Sequence, residues 1–165
     1  MKKILFFLIF LLGCSNLEFV YDAGSDSKSL LKGNTAISVL GDNSEETKIY
    51  LYNLLDKKDL NSKYKLSLKI TKNINKLVIE SSSTVSKYTI SHTILYELFN
   101  VNLGCQIFTS QESSIRNYDS KSGGYNFGTD RAEKEASKRN LNTNINKFFL
   151  NLDRENSDLE CLNEN

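Results

Sequence analysis

Residues 85–99 read VSKYTISHTILYELF and alternate between two kinds of surface. Tyr88, Ile90, His92, Ile94, Tyr96 and Leu98 fall on one face, and Lys87, Thr89, Ser91, Thr93 and Glu97 on the other. A period of two is the period of a β-strand, so this stretch predicts a long strand with one buried face and one wet face. The same alternation occurs upstream, where Tyr64, Leu66, Leu68 and Ile70 oppose Lys65, Ser67, Lys69 and Thr71. Downstream, residues 100–104 read as a hairpin turn, and residues 105–117 as a second long strand, richer in Ser, Thr and Gln and so wetter.

The flanking segments carry helical spacing. Residues 36–40 are a short strand candidate, broken by Gly41-Asp42-Asn43. Ser44 can then cap a helix over 45–58, with Glu45 and Glu46 in the first turn, where the helix dipole favours acids. Ile49, Tyr52 and Leu55 form its stripe, widened by Leu51 and Leu54. Residues 73–76 read as a turn or bulge, after which Leu77-Val78-Ile79 continues the strand or begins another. A loop over 119–124 precedes a long helix at 130–152, capped by Thr129. Ala132, Ala136, Ile145, Phe148, Phe149 and Leu152 form its stripe, with slippage near Asn140. Residues 153–165 are acidic and weakly apolar, a loose tail. One apolar face per strand and one stripe per helix give an α+β two-layer sandwich. Two helices pack on one face of a mostly antiparallel sheet of about four strands, and the other face is wet.

The N-terminus is an address. Residues 1–14, MKKILFFLIFLLGC, place Lys2 and Lys3 before an unbroken apolar run. That run is shorter than the roughly 20 residues a spanning helix needs, and it suits a signal-peptide core. Leu11-Leu12-Gly13-Cys14 resembles the bacterial lipobox, with Leu12 bulkier than the usual residue before the Gly. The resemblance implies cleavage after Gly13 and lipidation of Cys14. Two or three acyl chains anchor a domain stably, whereas one is marginal. Ser15 follows the Cys; in proteobacterial lipoproteins an Asp there marks retention in the inner membrane, so Ser15 implies export to the outer membrane, on its periplasmic side. The organisation expected is a signal peptide at 1–13, a lipidated tether at 14–33, a domain at 34–152 and a flexible tail at 153–165.

Of the 165 residues, 39% are hydrophobic and 25% charged, with formal net charge +1. Cleavage after Gly13 leaves 165 − 13 = 152 residues and removes Lys2 and Lys3, for a side-chain charge of +1 − 2 = −1. A chain of that size is one domain able to bury a core without staples. Its near-neutral charge speaks against nucleic acid as a partner. Three Cys make no disulfide framework, and one His makes no usual imidazole metal site. His92, on an apolar strand face, reads as a core His with one hydrogen bond rather than a catalyst or ligand. No Gly-x-Ser-x-Gly elbow is present, and Gly123-Gly124 lacks the Lys of a phosphate-binding loop. For Cys105 and Cys161, a disulfide and two free thiols fit the sequence equally well.

Three features in order bear a family resemblance. A Ser-Lys-Tyr-Thr-Ile strand start lies at 86–90. A polar strand after Gly104 runs into Ser114-Ile115-Arg116-Asn117-Tyr118-Asp119. Tyr125-Asn126-Phe127-Gly128-Thr129-Asp130-Arg131-Ala132-Glu133-Lys134-Glu135-Ala136 then opens the last helix. Residues 86–152 resemble the lipopolysaccharide-assembly lipoprotein family LptE in its alphaproteobacterial form, with Gly128 where Ala is usual. The resemblance covers the C-terminal half well and the rest only by element order. It implies the sandwich reached above and a protein without catalysis or cofactor. It also implies partners: an LptD-type outer-membrane barrel, whose lumen the domain plugs and whose assembly it supports, and lipopolysaccharide. Lys65, Lys69 and Lys87 then become candidate contacts for a phosphorylated glycolipid or the barrel, although lysines on exposed strands also simply prevent edge aggregation. Arg116, Tyr118 and Arg131, which flank the 119–124 loop, are further candidates. The alternative is another outer-membrane lipoprotein of similar shape, an auxiliary subunit of a lipid ABC transporter or an activator of a cell-wall synthase.

Overall fold

The structure, a computed structural model, describes residues 26–56, 61–78, 85–119 and 127–162. The signal peptide, the lipobox with Cys14 and most of the 119–124 loop lie outside the described residues. In chain order the elements are α1 (Asp26–Leu31), β1 (Thr35–Gly41), α2 (Ser44–Leu55), β2 (Tyr64–Val78), β3 (Val85–Asn100), β4 (Cys105–Asp119) and α3 (Phe127–Asn156). Among them no helix is long and apolar enough to cross a membrane.

The four strands form one sheet in the order β1-β2-β3-β4. β1 pairs parallel to β2 from Thr35↔Tyr64 to Gly41↔Ile70, and α2 makes the crossover a parallel pair requires. β2 with β3 and β3 with β4 are antiparallel. Among the described residues helices cover one face only, the α+β two-layer arrangement the alternation implies. On that face Tyr64, Leu66, Leu68 and Ile70 of β2 and Ile90, His92, Ile94, Tyr96 and Leu98 of β3 are buried.

Gly41 makes the junction from β1 to α2. Its φ is +95°, and a Cβ there would stand 2.1 Å from the Ile70 carbonyl oxygen, so a side chain is excluded both by conformation and by space. Asn43, with φ 55°, makes no side-chain cap, and Ser44 is the first helical residue rather than the cap. Leu51 and Leu55 are buried as their spacing requires, whereas Ile49 is exposed.

Three segments differ from the sequence expectations. Residues 73–76 are strand, because Asn73 and Asn75 pair with Ser91 and Thr89; cross-strand bonding overrides the turn preference of Asn. The tether expected over 14–33 gives way to structure at residue 26: Leu31 is fully buried, and the Ser27 backbone N–H and hydroxyl both bond Asp153 of α3. The tail expected from residue 153 is part of the fold. α3 runs to Asn156, Leu159 is buried, and Cys161 is bonded to Cys105 with Cα atoms 5.7 Å apart. The two segments are held separately, the first by Asp153 of α3 and the second by the start of β4 through Cys105 and the Gln106 carbonyl.

α3 has 30 residues, about 45 Å of helix at 1.5 Å per residue. Its stripe does not slip near Asn140. Ala132, Ala136, Asn140, Asn144, Phe148 and Leu152 recur every fourth residue, and Ser137, Leu141, Ile145 and Phe149 form the adjacent column. The middle of the stripe is polar yet buried.

Candidate functional site

The buried polar rungs of α3 meet the sheet around His92. Asn140 Nδ2 lies 2.9 Å from His92 Nδ1 and 3.1 Å from the Ser114 carbonyl. With Nδ1 accepting, the ring proton sits on Nε2 and points at Ser137 Oγ, 3.3 Å away; that hydroxyl in turn donates to Asn43 Oδ1 at 3.4 Å. One turn further along, Asn144 Nδ2 donates to the Glu112 carbonyl at 3.0 Å, and Asn144 Oδ1 accepts from the Tyr96 hydroxyl at 2.9 Å. Burial, reinforced by Lys72 and opposed by Asp42, lowers the His92 pKa to about 4, so the imidazole is neutral. Burial likewise raises the Tyr96 pKa. His92 is thus a core His held on both nitrogens, not on one. Its neighbour Ser137 is almost fully buried, so the pair is closed to a substrate. This belt separates a large core cluster from a small one made by Ile90, Tyr118 and Ala136.

Beyond the belt, β3, β4 and the start of α3 build a second cluster. Tyr118 is buried on the helix side of β4, stacked on Tyr88 with ring centroids 5.1 Å apart. Its hydroxyl donates to Glu133 at 3.2 Å, and Lys72 binds the other Glu133 oxygen at 2.7 Å. Burial and then Glu133 hold the Tyr118 phenol protonated well above its ordinary range. Arg116 is half-buried on the same side of β4, opposite Ile90, with its Nε buried and without a hydrogen-bond partner among the described residues.

The uncovered face of the sheet is polar across its width. Ser67 pairs with Glu97 and Thr71 with Thr93, and Thr93 and Ser113 join hydroxyls at 3.2 Å. Thr89 donates to Asn117 at 2.8 Å. Leu40, Leu77, Leu95 and Ile115 are exposed apolar side chains scattered among the polar ones on this face. A face of this kind makes hydrogen bonds to another polar surface and offers no apolar groove.

The six candidate contacts do not converge. Lys65 and Lys69 lie on the uncovered face, four strand residues and about 13 Å apart at 3.3 Å per residue. Lys87 pairs with Leu77, eight residues along β2 from Lys69, or about 26 Å at the same rise, so the three lysines cannot hold one phosphate. Arg116 and Tyr118 face the helix layer, and Tyr118 is a packing residue. Arg131 is exposed on α3. The sequence reading missed Lys72, Glu133, Ser137, Asn140 and Asn144; the four-residue spacing of Asn140 and Asn144 with Ala136 and Phe148 was the available signal.

A groove of about 340 Å³ separates α2 from α3. Tyr50, Leu141 and Ile145 help to line it, and the Glu46–Lys134 ion pair, at 3.3 Å, spans it.

No protein-family model matches the sequence, and comparison with curated proteins finds no similar sequence. The fold does have relatives among solved structures. A provisionally assigned lipoprotein from Caulobacter crescentus superposes with TM-score 0.58 at 16% identity, over 80% of this chain and 94% of that one. Rare lipoprotein B from Shewanella oneidensis superposes with TM-score 0.51 at 12% identity, over 72% of this chain and 97% of that one. At such identities the likeness is one of fold: the chain has an α+β sandwich also found in bacterial lipoproteins.

Proposed function

We propose that this protein is an outer-membrane lipoprotein of LptE type. Cys14 carries the lipid, and the domain occupies the lumen of an LptD-type barrel, supports its assembly and takes part in carrying lipopolysaccharide to the surface without catalysing a reaction. The observation that carries the reading is the sheet face left bare by the helices. It is mostly Ser, Thr, Asn, Gln and Lys, with scattered Leu and Ile among them, a surface of the kind that meets the polar lumen wall of a large barrel. The lipobox, the LptE-like opening of α3 and the fold found in two lipoproteins support it. The test is in-cell photocrosslinking from Thr93 and Gln111 on the bare face against Lys48 on α2, read by mass spectrometry. Crosslinks from the two strand positions to an outer-membrane barrel are expected. Crosslinks to an inner-membrane transporter or synthase, or to the barrel from α2 alone, overturn the reading.

A further inference from the structure

The β3–β4 turn at residues 101–104, Val-Asn-Leu-Gly, carries two exposed apolar side chains where a surface turn is ordinarily polar. Val101 and Leu103 are 54% and 70% exposed. The turn is nevertheless held firmly. Asn100 Oδ1 accepts from the backbone N–H groups of Asn102 and Leu103 at 3.1 and 3.2 Å, and Val101 N–H donates to the Lys63 carbonyl at 2.9 Å. Gly104, with φ +65°, closes it. The Cys105–Cys161 bond then fixes the chain end beside it, with Leu162 N–H on the Gln106 carbonyl and the Leu162 side chain exposed.

The first described residues lie at this same end of the sandwich. Ser27 bonds Asp153 near the C-terminus of α3, Gly33 N–H donates to the Leu55 carbonyl, and Tyr64 N–H to that of Asn34. Leu30 and Leu150 add exposed apolar side chains to the α1 and α3 side of this end. Eleven residues, 15–25, separate Cys14 from Asp26; fully extended they reach about 40 Å at most, which tethers the domain without orienting it. Two ion pairs lie nearby, Lys32 with Asp56 and Arg154 with Glu155, and the Lys63 ammonium stands over the Tyr64 ring.

We infer that this end is a bilayer-docking tip: Val101 and Leu103, with Leu162 beside them, insert into the interfacial region of the membrane that holds the Cys14 lipid. The inference rests on the lipoprotein reading above and adds the orientation of the domain. Because the inserted side chains are apolar, docking persists at high ionic strength.

The full-length lipidated protein, purified from membranes and placed in phosphatidylethanolamine–phosphatidylglycerol vesicles, tests this. With Cys14 acylated and Cys105 bonded to Cys161, a cysteine introduced as Leu103→Cys is the one labelling site for an environment-sensitive fluorophore; Ile115→Cys on the bare sheet face, 71% exposed, is the control. A blue shift and quenching by doxyl-labelled lipid are expected at position 103 and not at 115, unchanged between low and high salt. The added change Val101→Asp abolishes the quenching at 103. Equal signals at the two positions, quenching at 115 alone, or quenching lost in high salt overturn the inference. Intact mass separates the two readings: an unacylated Cys14 refutes the anchor, whereas an acylated protein with a solvent-exposed position 103 refutes only the docking.

Discussion

His92 has no solvent exposure and partners on both ring nitrogens, so its proton balance is a property of the fold. Its folded-state pKa is about 4 and its ordinary value 6.5. The depressed value means that the unfolded chain binds a proton that the native state refuses. Stability is therefore complete above about pH 6.5 and falls as the pH drops toward 4. A gap of about two and a half pKa units corresponds to a loss of about 3 kcal/mol. Protonation would also set an N–H against the amide of Asn140. Urea melts at pH 7.5 and 4.5 are expected to show most of the loss, which is complete only below about pH 4, and the His92→Gln variant, already less stable, is expected to show little of it. A pH dependence unchanged in that variant would assign it to other groups. Asn144 offers a second measurement at this scale. Asn144→Leu strands the Tyr96 hydroxyl and is expected to cost about 1–3 kcal/mol. Tyr96→Phe on the same background is then expected to recover part of the loss, which a double-mutant cycle in denaturant reads directly.

The strand register and the disulfide act at the scale of elements. Ile90 and Ile94 are fully buried and face the helices, whereas Thr89 and Thr93 share the bare face. Ile90→Ala and Ile94→Ala are each expected to cost about 2–4 kcal/mol, the two Thr→Ala changes about 0.5 kcal/mol or less. The reverse order in chemical denaturation would place the strand one residue out of register. The Cys105–Cys161 bond closes a sequence separation of 56 residues around β4 and α3. Cys161→Ser is expected to cost about 2–4 kcal/mol and to free the chain end. Hydrogen exchange at Leu159 and Leu162, whose N–H groups bond the Asn156 and Gln106 carbonyls, would report the release.

At the scale of the whole molecule, the two layers divide the work. The helix layer closes the core, and under the proposed function the other face of the sheet is the one that meets the barrel. Tyr118 shows why that division matters for reading mutants. It is buried against Tyr88 and Glu133, so Tyr118→Ala is expected to destabilise the domain rather than only weaken an interface. Changes at Thr93 or Gln111 are the clean probes of the bare face. The anchor is tested separately: Cys14→Ser is expected to leave an unacylated precursor out of the outer-membrane fraction, seen by intact mass and fractionation. Normal fractionation with unchanged mass would show that Cys14 carries no lipid.

The alternation in 64–70 and 85–99 determined the strands, their buried faces and the two-layer fold, because a period of two leaves no freedom about which side chains share a face. The last helix was legible from Phe148, Phe149 and Leu152 for the same kind of reason. Other features depended on contacts between distant segments and were decided by the tertiary structure alone. Asn73 and Asn75 are strand because β3 supplies their partners. Asn140 and Asn144 are buried because sheet carbonyls lie beneath them. Residues 26–31 and 157–162 are ordered because Asp153 and Cys105 hold them. The separation of the candidate contacts has the same origin. Whether Lys65, Lys87 and Arg116 meet depends on strand register and sheet face, and one step of register moves a side chain to the opposite side of the sheet.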